Sequence, residues 1–252
     1  LTTRIARAPH WLMSIRGIPL GFTWAHAFVE GRASKAVEHI TAVSEFNARH
    51  LREMHNVPEK KITVIYNGIS APEVGKGRRT DLAAMVAGAG PILGCIANFG
   101  REKGHRYLVE AMPEIFAMRP QALLLLVGDG GLRSEVEEQV AAFGLSERVL
   151  FLGSRSDVPA LLDFFDLLIL PSLLEGTPNV VLEAMVAKVP VVATSAGGTT
   201  EVVDDQTTGL LVAPRDSAAL TGAVLAMLAD EDRARQMVAA GAMRAQTRFG
   251  MK

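Results

Sequence analysis

Short apolar runs alternate with segments of helical character over residues 90–214. Each run is the length of one strand, and the runs read PILGCIA, QALLLLVG, RVLFLG, DLLILPS, VPVVAT and GLLVAP. Continuous apolar strands between amphipathic helices are typical of a parallel sheet that is covered on both faces. Right-handed crossovers make such a sheet doubly wound and place ligands at the carboxyl ends of its strands. The predicted fold class is therefore α/β.

The first 70 residues have the same character but fewer elements. WLMSI, HITAVS and KITVIYNGIS read as strands, a helix is expected over residues 23–35, and Ser44 can cap a second helix, EFNARHLREM. The stripe predicted for this second helix is Phe46, Leu51 and Met54, with Asn47 and Arg49 facing away from it.

The domain prediction divides the chain at residues 71–80, APEVGKGRRT, which have almost nothing to bury and read as a linker. Residues 1–70 then form one domain and residues 81–252 a second, whose tail from Ser217 to Arg248 is helical.

Composition limits the possible functions. The chain has 252 residues, 49% of them hydrophobic, a mean hydropathy of +0.22 and a net charge of -1, which gives no support to a nucleic-acid partner. The single cysteine, Cys95, lies in an apolar run and is expected to be a buried thiol in a reducing compartment. No apolar run reaches the length of a membrane span, and the chain has no initiating methionine, so we expect it to begin part-way through a larger protein.

Two acids flank a predicted helix start in the stretch PSLLEGTPNVVLEAMVAK. Thr177 is placed to be the N-cap and Pro178 the first helical residue. The amides of Asn179 and Val180 would then be free, and free amides at the positive end of a helix dipole form an anion site suited to phosphate.

The acids themselves, Glu175 and Glu183, are eight residues apart. On a helix that spacing corresponds to roughly 12 Å, too far for both to act on one atom. An extended ligand with hydroxyls at two ends and phosphate between them fits better, as in a nucleotide-diphosphate sugar. The alternative is a surface-loop acid and a solvated helix acid.

EGTPNVVLE resembles the E-x7-E signature of the retaining glycosyltransferases of family four. The resemblance covers nearly the whole chain and includes the phrases AVSE and NGI near the end of the first domain. It implies a GT-B architecture, in which two Rossmann-like doubly wound domains face each other across a cleft, here with the first domain only partly present. It also implies that Glu183 binds the ribose, that Glu175 binds the transferred sugar, and that Gly176 and Thr177 belong to the donor site.

Three loops that follow strand ends are further candidates for donor binding. In the first, Lys103 resembles the family's diphosphate-binding lysine, but Asn98 stands where the family has a partner arginine, which Arg101 would have to replace. The second follows Gly128, itself a donor-site candidate, and reads Asp129-Gly130-Gly131; a glycine turn at a strand end permits close approach to a ligand or simply makes a tight turn. In the third, Arg155 is placed to stack on the base, and Asp157 to cap the next helix.

The resemblance implies a retaining transferase that moves a sugar from a UDP- or GDP-sugar to a sugar or lipid-linked acceptor in polysaccharide, lipopolysaccharide or glycolipid synthesis. It implies no metal and a cytoplasmic location, with contact to the inner face of the membrane through a preceding segment left open. This chain alone is expected to be inactive. Arg16, where many relatives have histidine, and Asn98 keep two alternatives open: a non-catalytic sugar-nucleotide-binding module and a sugar-nucleotide epimerase.

Overall fold

The computed structural model describes residues 12–15, 32, 37–70 and 80–251. The strands in these ranges are β1 (Leu12–Ile15), β2 (His39–Ala42), β3 (Ile62–Val64), β4 (Ile92–Ile96), β5 (Leu123–Val127), β6 (Val149–Gly153), β7 (Leu167–Leu170), β8 (Val191–Thr194) and β9 (Leu210–Val212). The α-helices are α1 (Glu45–His55), α2 (Thr80–Met85), α3 (His105–Met118), α4 (Arg133–Ala142), α5 (Val158–Leu162), α6 (Asn179–Val186), α7 (Thr199–Val202), α8 (Ser217–Ala229) and α9 (Glu231–Phe249).

The larger sheet is parallel throughout, with the strand order β6-β5-β4-β7-β8-β9. The chain builds outward from β4 to β6 and then returns to place β7 on the other side of β4, which is the doubly wound order. One face packs against α3, α4, α8 and the first half of α9, and the other against α2, α5, α6 and the end of α9. All six predicted strands of residues 90–214 are confirmed, because runs of this kind fit a sheet that is buried on both faces.

The helices of this part agree with the sequence in most respects. Those expected from about His105 and Leu132 are α3 and α4, and the helical tail is divided between α8 and α9. The short helices α2 and α7 were not predicted. Cys95 is fully buried in β4, and this burial raises the pKa of its thiol to about 12, so it is a core residue as expected.

The smaller sheet has the parallel order β1-β2-β3, and α1 covers part of it. Ser44 caps α1 as predicted, since its Oγ accepts a hydrogen bond of 3.2 Å from the amide of Asn47. The predicted apolar stripe is partly wrong: Asn47 is fully buried, whereas Met54 is 64% exposed. The helix presents Asn47, Ala48, Leu51 and His55 inward.

Several predictions lie outside the described residues. These are the position of Arg16, residues 71–79 of the linker, and the helix predicted over residues 23–35. Of that helix the structure describes Arg32 alone, which is helical. Thr80, which was placed in the linker, begins α2. In the described ranges no helix is long and apolar enough to span a bilayer.

The end of the chain returns to the segment that follows β3. The amide of Ile69 donates to the carbonyl of Phe249 at 2.7 Å, and the rings of Tyr66 and Phe249 meet edge to face with centroids 5.4 Å apart. The smaller sheet is therefore held against the larger unit through α9.

Candidate functional site

Strands β4 and β7 are neighbours in the larger sheet, and the loops that follow them contact each other at its carboxyl edge. The amide of Leu173 donates to the carbonyl of Glu102 at 2.7 Å. Gly104 has φ +66°, and a Cβ at that position would lie 2.1 Å from the carbonyl oxygen of Pro171, so only glycine fits. This is the topological switch point, where doubly wound sheets bind ligands.

An ion pair joins these two loops. Lys103 Nζ lies 2.8 Å from Glu175 Oε1, and the Ser172 hydroxyl donates to the same oxygen at 2.7 Å. The side chain of Lys103 is 20% exposed and that of Glu175 only 9%, so the pair is largely removed from water. Charges in such a place need their partners, because removing one leaves the other buried and uncompensated. Two residues that lie 72 positions apart in the chain thus form one polar centre.

Helix α6 begins beside this centre. Its first amides, those of Asn179 and Val180, donate no hydrogen bond within the described part of the chain. Pro178 rather than Thr177 occupies the N-cap position, so the predicted cap is wrong. Thr177 donates its hydroxyl hydrogen bond instead to the carbonyl of Val43, at 2.5 Å, in the smaller unit. Both helix-end amides thus have no acceptor among the described residues, as predicted, and amides in this position can bind an anion.

Glu183 lies four residues beyond Asn179 on the same side of α6, about 6 Å along the axis. Its side chain is half-buried and makes no hydrogen bond or ion pair with any residue of the described ranges. Burial raises the pKa of this carboxyl, because the charged form loses hydration without gaining a donor. A ligand that offers hydroxyl donors would satisfy it.

Two other polar residues of the β4 loop, Asn98 and Arg101, are more exposed. The amide nitrogen of Asn98 lies 3.4 Å from Glu102 Oε1, and Arg101 is exposed with no partner among the described residues. Arg101 is thus available near the site but is not held in place.

Gly128 has a structural reason to be glycine. Its φ is +138°, and a Cβ there would lie 2.0 Å from the carbonyl oxygen of Ala97. Its amide donates to the carbonyl of Gly153 at 2.8 Å, which ties the ends of β5 and β6 together. Of the two explanations left open by the sequence, the tight packing of strand ends accounts for this residue without a ligand.

Arg155 follows β6, two strands away from β4. Its guanidinium forms a bidentate pair with Asp157, at 2.9 and 2.8 Å. Asp157 stands at the N-cap position of α5 but makes no capping hydrogen bond with its side chain, so its predicted role is wrong. Both carboxylate oxygens accept from Arg155 instead, which fixes the plane of the guanidinium.

Two family models of glycosyltransferases match this chain. The family model "Glycosyl transferases group 1" matches residues 90–230, more than half of the chain, and "Glycosyltransferase Family 4" matches residues 6–71. The chain belongs to the glycosyl transferases group 1.

Two curated relatives illustrate the similarity. N-acetyl-alpha-D-glucosaminyl L-malate synthase of Bacillus anthracis is 34% identical over 200 residues, which cover 79% of this chain and 52% of the relative. The lipopolysaccharide core biosynthesis mannosyltransferase LpsB of Rhizobium meliloti is 30% identical over 200 residues, covering 75% of this chain and 57% of the relative. The chain thus spans less than two thirds of the length of these relatives.

Among solved structures, HepE of Anabaena in complex with UDP-glucose superposes with a TM-score of 0.88 and 25% identity, covering 98% of this chain and 70% of HepE. The structural neighbours are GT-B glycosyltransferases, which confirms the predicted fold class.

Sequence reasoning missed three residues that shape the site. Ser172 supports Glu175, Asn67 donates a 2.7 Å hydrogen bond to the side chain of Asn179, and Glu201 contacts the smaller unit. Ser172 had a signal, since it follows an apolar strand and precedes an acid by three residues. The other two act across the fold, 112 and 156 positions from their partners, and no local pattern marks them.

Proposed function

We propose that this chain carries the donor site of a retaining glycosyltransferase, which moves a sugar from a nucleoside-diphosphate sugar to a hydroxyl of a sugar or lipid-linked acceptor. The observation that carries the proposal is the Lys103–Glu175 pair, which lies beside the unbonded amides of α6 at the switch point. Cationic and N–H donors there suit a diphosphate, and carboxylates on either side suit the hydroxyls of the two sugars.

In this proposal the nucleotide half of the donor lies along α6. The half-buried carboxylate of Glu183 accepts from the ribose hydroxyls, and the amides of Asn179 and Val180 donate to phosphate oxygens. The base lies toward the β6 edge, where the face of the Arg155 guanidinium offers a stacking surface held by Asp157. Asn98 and Arg101 border the diphosphate from the β4 loop.

The sugar half lies at Glu175, in the Glu175–Thr177 segment. Glu175 Oε1 accepts from both Lys103 and Ser172, and the other carboxylate oxygen accepts from hydroxyls of the transferred ring. Contacts of this kind orient the anomeric carbon for attack. Support comes from HepE, whose structure with UDP-glucose has the same fold at 25% identity.

The reaction that we propose is the one implied by the family resemblance. The bond between the anomeric carbon and the diphosphate oxygen breaks, and a bond to the acceptor oxygen forms on the same face. The acceptor proton passes to the departing phosphate oxygen. Negative charge accumulates on the diphosphate as the bond breaks, and Lys103 with the helix-end amides stabilises it. The relative named for lipopolysaccharide core biosynthesis favours a role in the synthesis of a surface polysaccharide or glycolipid.

Calorimetric titration with UDP, GDP and ADP tests the donor site directly. We expect one of these diphosphates to bind, and Lys103→Met to weaken it at least about tenfold, the scale of a hydrogen bond from a charged group. Lys60→Met is the matched control, since Lys60 is exposed beside β3 and should leave affinity unchanged. Binding of none of the three, or equal effects of the two substitutions, would contradict the proposal.

A second candidate is a module that binds sugar nucleotides without turnover. Asn98, which stands where the resemblance expects an arginine, favours it, because one diphosphate-stabilising cation is then absent from that position. Release of free nucleotide from a sugar nucleotide in the presence of acceptor favours the transferase; tight binding without release favours the module.

A further inference from the structure

The carboxylate of Glu201 bridges the two parts of the molecule. Its Oε2 accepts from the amide of Glu45 at 2.9 Å, its Oε1 accepts from the amide of Phe46 at 2.8 Å, and the hydroxyl of Tyr66 donates to Oε2 at 2.8 Å. Glu201 belongs to α7 of the larger unit, whereas all three donors belong to the smaller one. This side chain therefore completes the start of α1 from outside its own domain.

The start of α1 requires such a partner. The first amides of a helix have no acceptor within the helix. Ser44 satisfies only the amide of Asn47, and Glu201 satisfies the two that precede it. A carboxylate at the positive end of the helix also interacts favourably with the helix dipole.

Glu201 is fixed from behind by α9. Arg244 donates to the carbonyl of Glu201 at 3.0 Å and to the carbonyl of Val202 at 2.8 Å, and it forms an ion pair with Asp204. The short helix α7 is thereby anchored to a helix of 19 residues. A displacement of the Glu201 side chain relative to the larger sheet is resisted by these bonds.

The glycines that open α7 lie between α1 and the Glu175–Thr177 segment. A Cβ on Gly197 would lie 2.2 Å from the carbonyl oxygen of Glu175 and 3.1 Å from the ring of Phe46. A Cβ on Gly198 would lie 1.6 Å from the carbonyl oxygen of Gly176, and its amide donates to the carbonyl of Glu175 at 3.0 Å. The segment that carries Glu175 thus packs on the same turn that Glu201 ties to α1.

We propose that Glu201 is a positioning residue for the sugar half of the donor site. By bonding the start of α1, it clamps Gly197 and Gly198 against the backbone of Glu175 and Gly176, and so fixes where the Glu175 carboxylate points. The hydrogen bond from Thr177 to the carbonyl of Val43 is a second link between the Glu175–Thr177 segment and the smaller unit. This inference rests on the proposed function, since it assigns the consequence to the sugar and not to the nucleotide.

Hydrogen exchange on the full chain tests the coupling without any ligand. Glu201→Gln keeps the size of the side chain but retains one acceptor oxygen for two helix-end amides. We expect protection to fall at least about tenfold at the amide of Glu45 or Phe46 and also at the amide of Gly198. Opening of the contact between Glu201 and the start of α1 should also loosen the packing of Gly198 against the Glu175–Thr177 segment. Tyr66→Phe is the matched control; it removes one donor and should leave Gly198 protected. Unchanged protection of Gly198 in Glu201→Gln would overturn the proposal.

Ligand binding then tests the role. UDP with UDP-glucose, and GDP with GDP-mannose, serve as probes. Glu201→Gln should leave affinity for the free diphosphate within about twofold while it reduces the preference for the sugar nucleotide about fivefold or more. Equal losses for both ligands would make Glu201 merely structural and overturn the proposal. If the unaltered chain binds neither pair, the proposed function fails and the donor role fails with it, whereas the exchange result still decides whether Glu201 couples α1 to the Glu175 segment.

Discussion

Replacing Glu183 by glutamine should affect ligand binding and folding stability in opposite directions. The half-buried carboxyl of Glu183 has no partner among the described residues, and burial raises its pKa. If two ribose hydroxyls donate to it, the complex gains two charge-assisted hydrogen bonds. A hydrogen bond to a charged group contributes about 1.5–3 kcal/mol, and glutamine retains one neutral acceptor. We therefore expect Glu183→Gln to weaken binding of the free diphosphate about 10- to 150-fold.

The stability effect follows from the direction of the pKa shift. A carboxyl whose pKa is raised by folding stabilises the fold only while it is protonated, and that stability is lost as the pH rises through the folded-state pKa. Glutamine stays neutral at every pH. Glu183→Gln should therefore be at least as stable as the unaltered chain at neutral pH, with the difference shrinking as the pH falls below the pKa of Glu183.

Calorimetry with UDP or GDP and with the corresponding 2′-deoxynucleotide measures the binding effect. The loss caused by Glu183→Gln should be smaller for the deoxynucleotide, because one of the hydroxyls is absent from it. Glu138→Gln, on the exposed face of α4, is the matched control. Unchanged diphosphate affinity in a folded Glu183→Gln protein would show that Glu183 does not bind the ribose and is a solvated helix acid.

Three other predictions follow from individual sites. Glu175→Ala should leave affinity for the free diphosphate nearly intact while lowering turnover, because this acid is assigned to the sugar; equal losses of both, measured by calorimetry and nucleotide release, would place it elsewhere. Burial lowers the pKa of His105 to about 4, so the folded state resists its protonation and stability should be lost as the pH falls from about 6.5 toward 4. In His105→Gln, the free energy of unfolding measured by denaturant titration should fall by about 3 kcal/mol less over this pH range. Identical pH profiles for the two proteins would contradict the lowered pKa of His105. Gly128→Ala should destabilise by at least about 2 kcal/mol because of the contact with Ala97 and the positive φ, whereas Gly222→Ala, in open space on α8, should be neutral or stabilising in the same thermal unfolding assay.

The strands of the larger sheet could be predicted because their signal is local. Runs such as LLLLV at β5 and LLIL at β7 are apolar on both faces, and only a sheet with two covers buries them fully. The helices α2 and α7 have six and four residues, too few for a helical period to emerge. The inward face of α1 was misassigned because the polar residue Asn47 is fully buried. A hydrophobic pattern places polar residues on the outward face, so it could not predict this burial.

For the candidate site, the sequence predicted which loops lie together but not which side chains bond to each other. Because parallel strands share a carboxyl edge, the loops that carry Lys103 and Glu175 were expected to face the same ligand. Their direct pairing was not foreseen. Thr177 was misassigned because a carbonyl of the smaller unit, Val43, competes for its hydroxyl. Local capping preference gives no information about such a distant acceptor.

A crystal structure of this chain with the diphosphate that binds it best would decide whether the loops after β4 and β7 and the start of α6 form a donor site. We expect phosphate oxygens at hydrogen-bonding distance from the amides of Asn179 and Val180 and from Lys103, with the ribose hydroxyls on Glu183. A diphosphate bound away from the loops that follow β4 and β7, or a ribose without contact to Glu183, would contradict this expectation.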